Sequence, residues 1–307
     1  MTDLRELRRL EPLFWRAPSA HNTQPWVLEY SPDRIDLSVD PARRLPAGDP
    51  TGRDLELGLG ALVETVLTAA ASEGIGLAFD GDAFVSGAVY ETRFTAADLM
   101  RRQTSRLPYD ESLTEQQLAS ARAELRGEQR LHALPAPELV ELFVVADRHV
   151  YETPPVVAEL RRWLRLSRRD PGYDRDGLTY ESLGLSSLEA QVLGFVLRPA
   201  PLRATRALRL HHAFASSSAS VLRSGTALVL ESPGDVRDAG RTLLRIWLAL
   251  AAHGCYTHPL SQVIDFEPTE RALALRLAVE PPRRLLSVFR AGRSAPPPRS
   301  ARLRATP

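Results

Sequence analysis

The chain has 307 residues, 44% apolar and 25% charged, enough for one large domain or two small ones with a real core. Its 39 basic and 38 acidic residues nearly cancel, so composition makes no case for a nucleic-acid or membrane partner. Every basic residue is arginine, which excludes a Schiff-base or P-loop lysine but leaves bidentate recognition of phosphate open.

The N-terminal MTDLRELRRLEPLFW has no h-region of a signal peptide, and residues 3–16 predict a helix with Leu4, Leu7, Leu10 and Leu13 three apart. The polar stretch RAPSAHNTQPW (Arg16 to Trp26) follows, then strands over Trp26–Tyr30 and Arg34–Asp40 around Ser31-Pro32-Asp33. Residues 53–73 predict a strongly apolar helix ending near Gly74, and residues 76–95 a strand pair turning at Gly81. From Asp98 the pattern restarts with a helix to Gln103, a loop with Pro108, and a helix from Ser112 to Arg126. The short valine-rich run Glu138–Asp147 predicts a buried strand. Residues 153–224 read as mostly helical, Gly225–Ser232 as a buried strand, Ala239–Gly254 as an apolar helix, and 271–292 as the last strands. The tail SAPPPRSARLRATP predicts extended chain over the surface. No apolar run approaches a membrane span, and the single Cys255 rules out an intrachain disulfide; both lead to the expectation of a cytoplasmic protein.

A shift of 180 residues superposes the helix at 60–74 on that at 240–254, with Gly60 on Gly240, Val66 on Ile246 and Gly74 on Gly254. Chance similarity of apolar helices and an internal duplication both account for this.

RAPSAHNTQPW resembles the Pro-Ser-x-x-Asn-x-Gln-Pro-Trp signature of the FMN-dependent nitroreductase family, met by Pro18, Ser19, Asn22, Gln24, Pro25 and Trp26 after the small Ala17. RRQTSRLPY, Arg101 to Tyr109, resembles that family's Arg-x-Ser-x-Arg/Lys motif, with Arg102, Thr104 and Arg106 at its three positions. The resemblance implies that Pro18, Ser19, Asn22 and Gln24 lie against the isoalloxazine ring. It implies that Arg102 and Thr104 hold the phosphate, and that Arg106 meets the ring edge where negative charge gathers on reduction. Arg299 and Arg302 are the candidates for a basic pair returning to the phosphate.

In ordinary members the phosphate motif comes first and the flavin sits between two subunits; here the order is reversed. Together with the repeated helix, this resembles the tandem-fused Acg-type branch. The implied fold is α+β, antiparallel sheets flanked by helices, with halves 1–97 and 98–307 forming an internal pseudo-dimer and 153–224 a possible lid. The chain would be a monomer or homodimer acting on a small-molecule substrate, with no nucleic-acid or membrane partner and no metal. NAD(P)H would deliver hydride to FMN for transfer to a nitroaromatic, quinone or related electrophile. Flavin storage without turnover, or a biosynthetic dehydrogenase on the same fold, are the alternatives. No side chain need serve as general acid or base. His21 could face the cofactor, the substrate or solvent; His211, His212, His253 and His258 lack convincing metal partners; Cys255, at a helix C-terminus, reads as an inert thiol.

Overall fold

Leu4, Leu7 and Leu10 share one buried face because Leu4–Leu10 is a 3-10 helix, whose three-residue turn matches their spacing. In the computed structural model, which describes residues 3–208, 216 and 218–303, this turn runs into α1 (Glu11–Phe14) and then the polar loop. β1 (Trp26–Tyr30), β2 (Arg34–Val39), β3 (Gly76–Asp80) and β4 (Ala83–Val89) make an antiparallel sheet in the order β1-β2-β4-β3. The buried helix α2 (Arg53–Ser72) connects β2 to β3. Two short helices follow, α3 (Ala96–Arg101) and α4 (Glu115–Arg122), each opened by a threonine capping box.

A second antiparallel sheet, ordered β5-β8-β10-β9, joins β5 (Arg130–Pro135), β8 (Thr226–Ser232), β9 (Tyr256–Pro259) and β10 (Arg284–Gly292). Between β5 and β8 lie α5 (Val140–Glu152), α6 (Pro154–Trp163), α7 (Ser187–Val196) and α8 (Pro199–Ala207). Within that excursion β6 (Leu164–Arg165) and β7 (Leu178–Thr179) form a small parallel pair. α9 (Val236–Ala252) precedes β9, and α10 (Gln262–Asp265) and α11 (Glu267–Arg276) precede β10. The architecture is α+β, as the sequence led one to expect.

Three expectations need correction. Glu138–Asp147 is helical: Leu139, Phe143 and Ala146 are the buried positions, a spacing of about one helical turn, and valine content misled where periodicity did not. Only the last part of 271–292 is strand, because α11 fills Glu267–Arg276. By length and hydropathy α2 could cross a bilayer, although 78% of its most apolar window is buried in this fold.

α2 and α9 cross between the two sheets, each serving both cores. Leu244, Leu248 and Ala249 of α9 pack with Trp26, Ile35 and Phe84 under the first sheet. Leu57 of α2 packs with Leu228, Leu230 and Phe289 under the second. The helices approach at two glycines. A Cβ on Gly60 would lie 1.9 Å from the Arg237 carbonyl oxygen, and one on Gly240 would lie 2.3 Å from that of Leu57. The 180-residue shift that carries Gly60 onto Gly240 also carries Leu57 onto Arg237, so the two contacts exchange with one another. Fully buried Glu64 on α2 locks the crossing, accepting hydrogen bonds from Arg241 (3.1 Å), Arg245 (3.0 Å) and the Tyr90 hydroxyl (2.8 Å).

Candidate functional site

The loop Arg16 to Trp26 is bent more sharply than its prolines alone require. His21, Asn22 and Gln24 all have positive φ (47°, 54° and 51°), in a stretch without glycine. Such residues cost roughly 1–3 kcal/mol each and persist only where surrounding bonds hold them. Here the bonds are identifiable. Ser19 Oγ accepts the Gln24 N–H (2.9 Å), and Arg43 donates to the Thr23 carbonyl (2.7 Å). The Asn22 amide donates to the carbonyls of Gly177 (3.1 Å) and Ala301 (3.0 Å). Gln24 donates to the Arg175 carbonyl (3.1 Å) and accepts from the Leu303 N–H (2.8 Å). Two buried amides thus tie the loop both to the excursion at 175–177 and to the C-terminal tail. The tail is extended, as expected, but it is seated against the loop rather than free on the surface.

Beside this loop four arginines meet: Arg16, Arg102, Arg299 and Arg302. Arg102 is 3% exposed; its guanidinium donates to the Arg16 carbonyl (2.8 Å) and lies over the Trp247 ring, 5.8 Å from its centroid. Arg16 donates to the Ser300 carbonyl (3.3 Å), Arg302 to the Ala301 carbonyl (2.9 Å) and Arg299 to the Met100 carbonyl (2.6 Å). All four use backbone carbonyls, and none has a carboxylate partner among the described residues. Burial and the field of Arg16 push Arg102 down to about 9; burial and the field of Arg299 push Arg16 down to about 10. Arg302 is driven well below its ordinary value by burial and by the other three. Nε of Arg16 and Nε of Arg302 are buried without a hydrogen-bond partner. Like charges this close, with no carboxylate partner among the described residues, are the arrangement that would favour an anion.

A second group lies about Arg106. Burial lowers Arg106 to about 10, with Arg290 contributing. Its guanidinium donates to the Ser182 carbonyl (3.3 Å), so the excursion reaches this end too. His21 is pushed down to about 4 by burial and then by Arg106, with Asp54 opposing; it is neutral at pH 7 and its Nδ1 is buried and unpartnered. The backbone of the motif rests on β9: Thr104 bridges Thr257, and the Ser105 N–H donates to the Thr257 carbonyl (3.0 Å).

The structure therefore brings together Arg102, Arg299 and Arg302 at one end and Arg106 near His21 at the other. Ser19, Asn22 and Gln24, expected at a ligand ring, use their hydrogen bonds to shape and anchor the loop, while Thr104 is half-buried and bridged to Thr257. Arg16, Arg290 and His258 were not singled out as site residues in the sequence. Arg16 stands directly before the Ala-Pro-Ser of the loop, but nothing local in a chain this rich in arginine distinguishes it. Cys255 is buried, and burial raises its thiol, consistent with an inert role. His211 and His212 lie outside the described residues.

No family model matches the chain. Two curated proteins, both named "Putative NAD(P)H nitroreductase" and both from strains of Mycobacterium tuberculosis, are 39% identical to it over 72 residues. That stretch spans 24% of this chain and 21% of theirs. Among solved structures, an FMN-dependent nitroreductase from Mycobacterium smegmatis in complex with NADPH is 18% identical, with a TM-score of 0.37 over 67% of this chain and 95% of its own. A nitroreductase with bound FMN from Bacteroides fragilis is 11% identical, with a TM-score of 0.34 over 65% of this chain and 87% of its own. In its loop and arginine motifs, and over the stretch shared with the mycobacterial proteins, this chain is similar to the NAD(P)H nitroreductases.

Proposed function

We propose that the chain is an FMN-binding oxidoreductase of the nitroreductase kind, holding one cofactor where its two motifs meet. The observation that carries this is an arginine cluster with no carboxylate partner among the described residues: buried Arg102, half-buried Arg16 and Arg302, and Arg299 at its exposed edge ask for a multiply charged anion, and a phosphate monoester answers that need. Charge-assisted hydrogen bonds of this kind contribute about 1.5–3 kcal/mol each. The unpartnered Nδ1 of His21 and the uncompensated charge of Arg106 suit the polar edge of an attached ring system. When bound, FMN supplies hydride chemistry, accepting from NAD(P)H and delivering to a nitroaromatic, a quinone or a related small electrophile.

The protein's own part is positioning and electrostatics. Arg102, with Arg16 and the tail arginines, would fix the phosphate; Arg106 would face developing negative charge in a site screened from water. The strained loop at 21–24 would present a rigid edge, with Asn22 and Gln24 as its anchors. The exchange-related contacts at Gly60 and Gly240 support a reading of the chain as two fused half-units with the cofactor at their junction.

A visible spectrum of the purified protein is the first test, followed by anaerobic mixing of FMN-loaded protein with NADH or NADPH. Loss of the flavin absorbance on mixing is the expected result. A colourless protein that takes up no FMN would refute the reading. One observation favours storage without turnover: the loop is bonded both to 175–177 and to the tail, and these ties would hold two further segments close to a cofactor bound beside the loop. Bound flavin that resists bleaching by either nucleotide would decide for that alternative.

A further inference from the structure

Arg290, on β10, is 0% exposed and has no carboxylate partner among the described residues. Its Nε donates to Nδ1 of His258 (3.1 Å), its Nη2 donates to the Leu107 carbonyl (2.8 Å), and its guanidinium lies 4.0 Å from the centroid of the Tyr109 ring. Its Nη1 is buried with no partner at all, as is Thr257 Oγ1 on the neighbouring strand. A guanidinium with five donors, enclosed and with both N–H groups of Nη1 unused, is a costly arrangement unless something electron-rich is to be served.

His258 explains how the charge is held in place. Because its Nδ1 accepts from Arg290, its ring proton sits on Nε2, and burial together with Arg106 and Arg290 keeps it neutral. A neutral acceptor orients Arg290 without cancelling its charge, which a carboxylate at that position would do. Arg290 also grips the carbonyl of Leu107, the residue after Arg106, so the two arginines are joined through one short piece of backbone.

We propose that Arg290 is a second fixed cation beside Arg106: the two together raise the preference of bound FMN for its reduced, more negative state, and His258 positions Arg290. The proposal rests on the FMN reading above, and it assigns Arg290 a positioning role through charge rather than contact with substrate. Two positive charges in a site of low dielectric favour added electrons more than one does.

The test is the two-electron midpoint potential of FMN-loaded protein, measured by dye equilibration for wild type, Arg290→Gln, Arg290→Lys and His258→Glu. The glutamine variant removes the charge, and the glutamate variant neutralises it while leaving Arg290 packed, which guards against a glutamine variant that fails to fold. Both should lower the equilibrium constant for reduction at least tenfold, about 30 mV toward negative potential. Arg290→Lys, which keeps the charge, should lie nearer wild type. One FMN per chain with an unchanged potential in the folded variants would overturn the proposal while leaving the FMN reading intact. Failure of the wild type itself to bind FMN would overturn both.

Discussion

Replacing Arg102 by methionine should move stability and ligand affinity in opposite directions. Burial, reinforced by the field of Arg16, pulls the pKa of Arg102 down to about 9. A shift of that size, at roughly 1.4 kcal/mol per unit, corresponds to a penalty on the order of 4–5 kcal/mol for keeping the side chain charged in the anion-free fold. Methionine removes that penalty and fills similar space against Trp247. It also strands the Arg16 carbonyl, which offsets about 1–3 kcal/mol of the gain. Without anion, the variant should therefore be more stable than wild type by about 1–4 kcal/mol, read as a higher urea midpoint with an unchanged m-value. FMN affinity, read by quenching of flavin fluorescence, should fall about tenfold or more, because methionine cannot donate a charge-assisted hydrogen bond to the phosphate. The pH dependence carries the same sign. The folded-state pKa is depressed, so the wild-type penalty is complete below about pH 9 and is relieved as pH rises past that value, whereas the methionine variant should lack this rise. If stability and affinity fell together, Arg102 would be an ordinary structural arginine and the anion-site reasoning would be wrong.

Acid should expose His21: its pKa drops from 6.5 to about 4 on folding, so stability is complete above pH 6.5 and is lost as pH falls toward 4, by about 3 kcal/mol in all. His21→Gln should flatten that segment of the profile in pH-dependent urea unfolding; an unaltered slope would show that His21 is not the group. Gly240→Ala gains about 1 kcal/mol of helix propensity, yet its Cβ would meet the Leu57 carbonyl at 2.3 Å, so net destabilisation of about 1–3 kcal/mol is expected in thermal or urea melts. A more stable alanine variant would mean that α2 and α9 do not cross there. Asn22→Ala removes two bonds and a residue tolerant of positive φ, and should loosen both segments it joins, giving faster tryptic cleavage after Arg175 and Arg299. Unchanged cleavage would deny Asn22 its role as a tie.

Much of the local structure was legible because it follows from short-range pattern. The strand pair about Ser31-Pro32-Asp33 and the apolar helices α2 and α9 are each written within a few residues of chain, whereas the threonine capping boxes at Thr95 and Thr114 went unread and the two helix starts were set at Asp98 and Ser112. Even the 3-10 start was present in the leucines at 4, 7 and 10, although spacing of three was read simply as helix. Glu138–Asp147 failed because a short apolar run satisfies both strand and helix periodicities, and only the packing of Leu139, Phe143 and Ala146 chooses between them.

By itself the sequence determined the two motifs, the all-arginine chemistry that suits phosphate, and the pair of glycine-bearing helices. The resemblance had grouped Arg102 with Arg299 and Arg302; only the tertiary structure added Arg16 to them and left all four without a carboxylate partner among the described residues. It alone assigned Asn22 and Gln24 to anchoring and set Arg290 behind Arg106. The reason is physical: a local pattern fixes which face of a helix or strand is apolar, whereas the meeting of distant charges depends on the path of the whole backbone. The energy of such a meeting exists only once burial has stripped those charges of water.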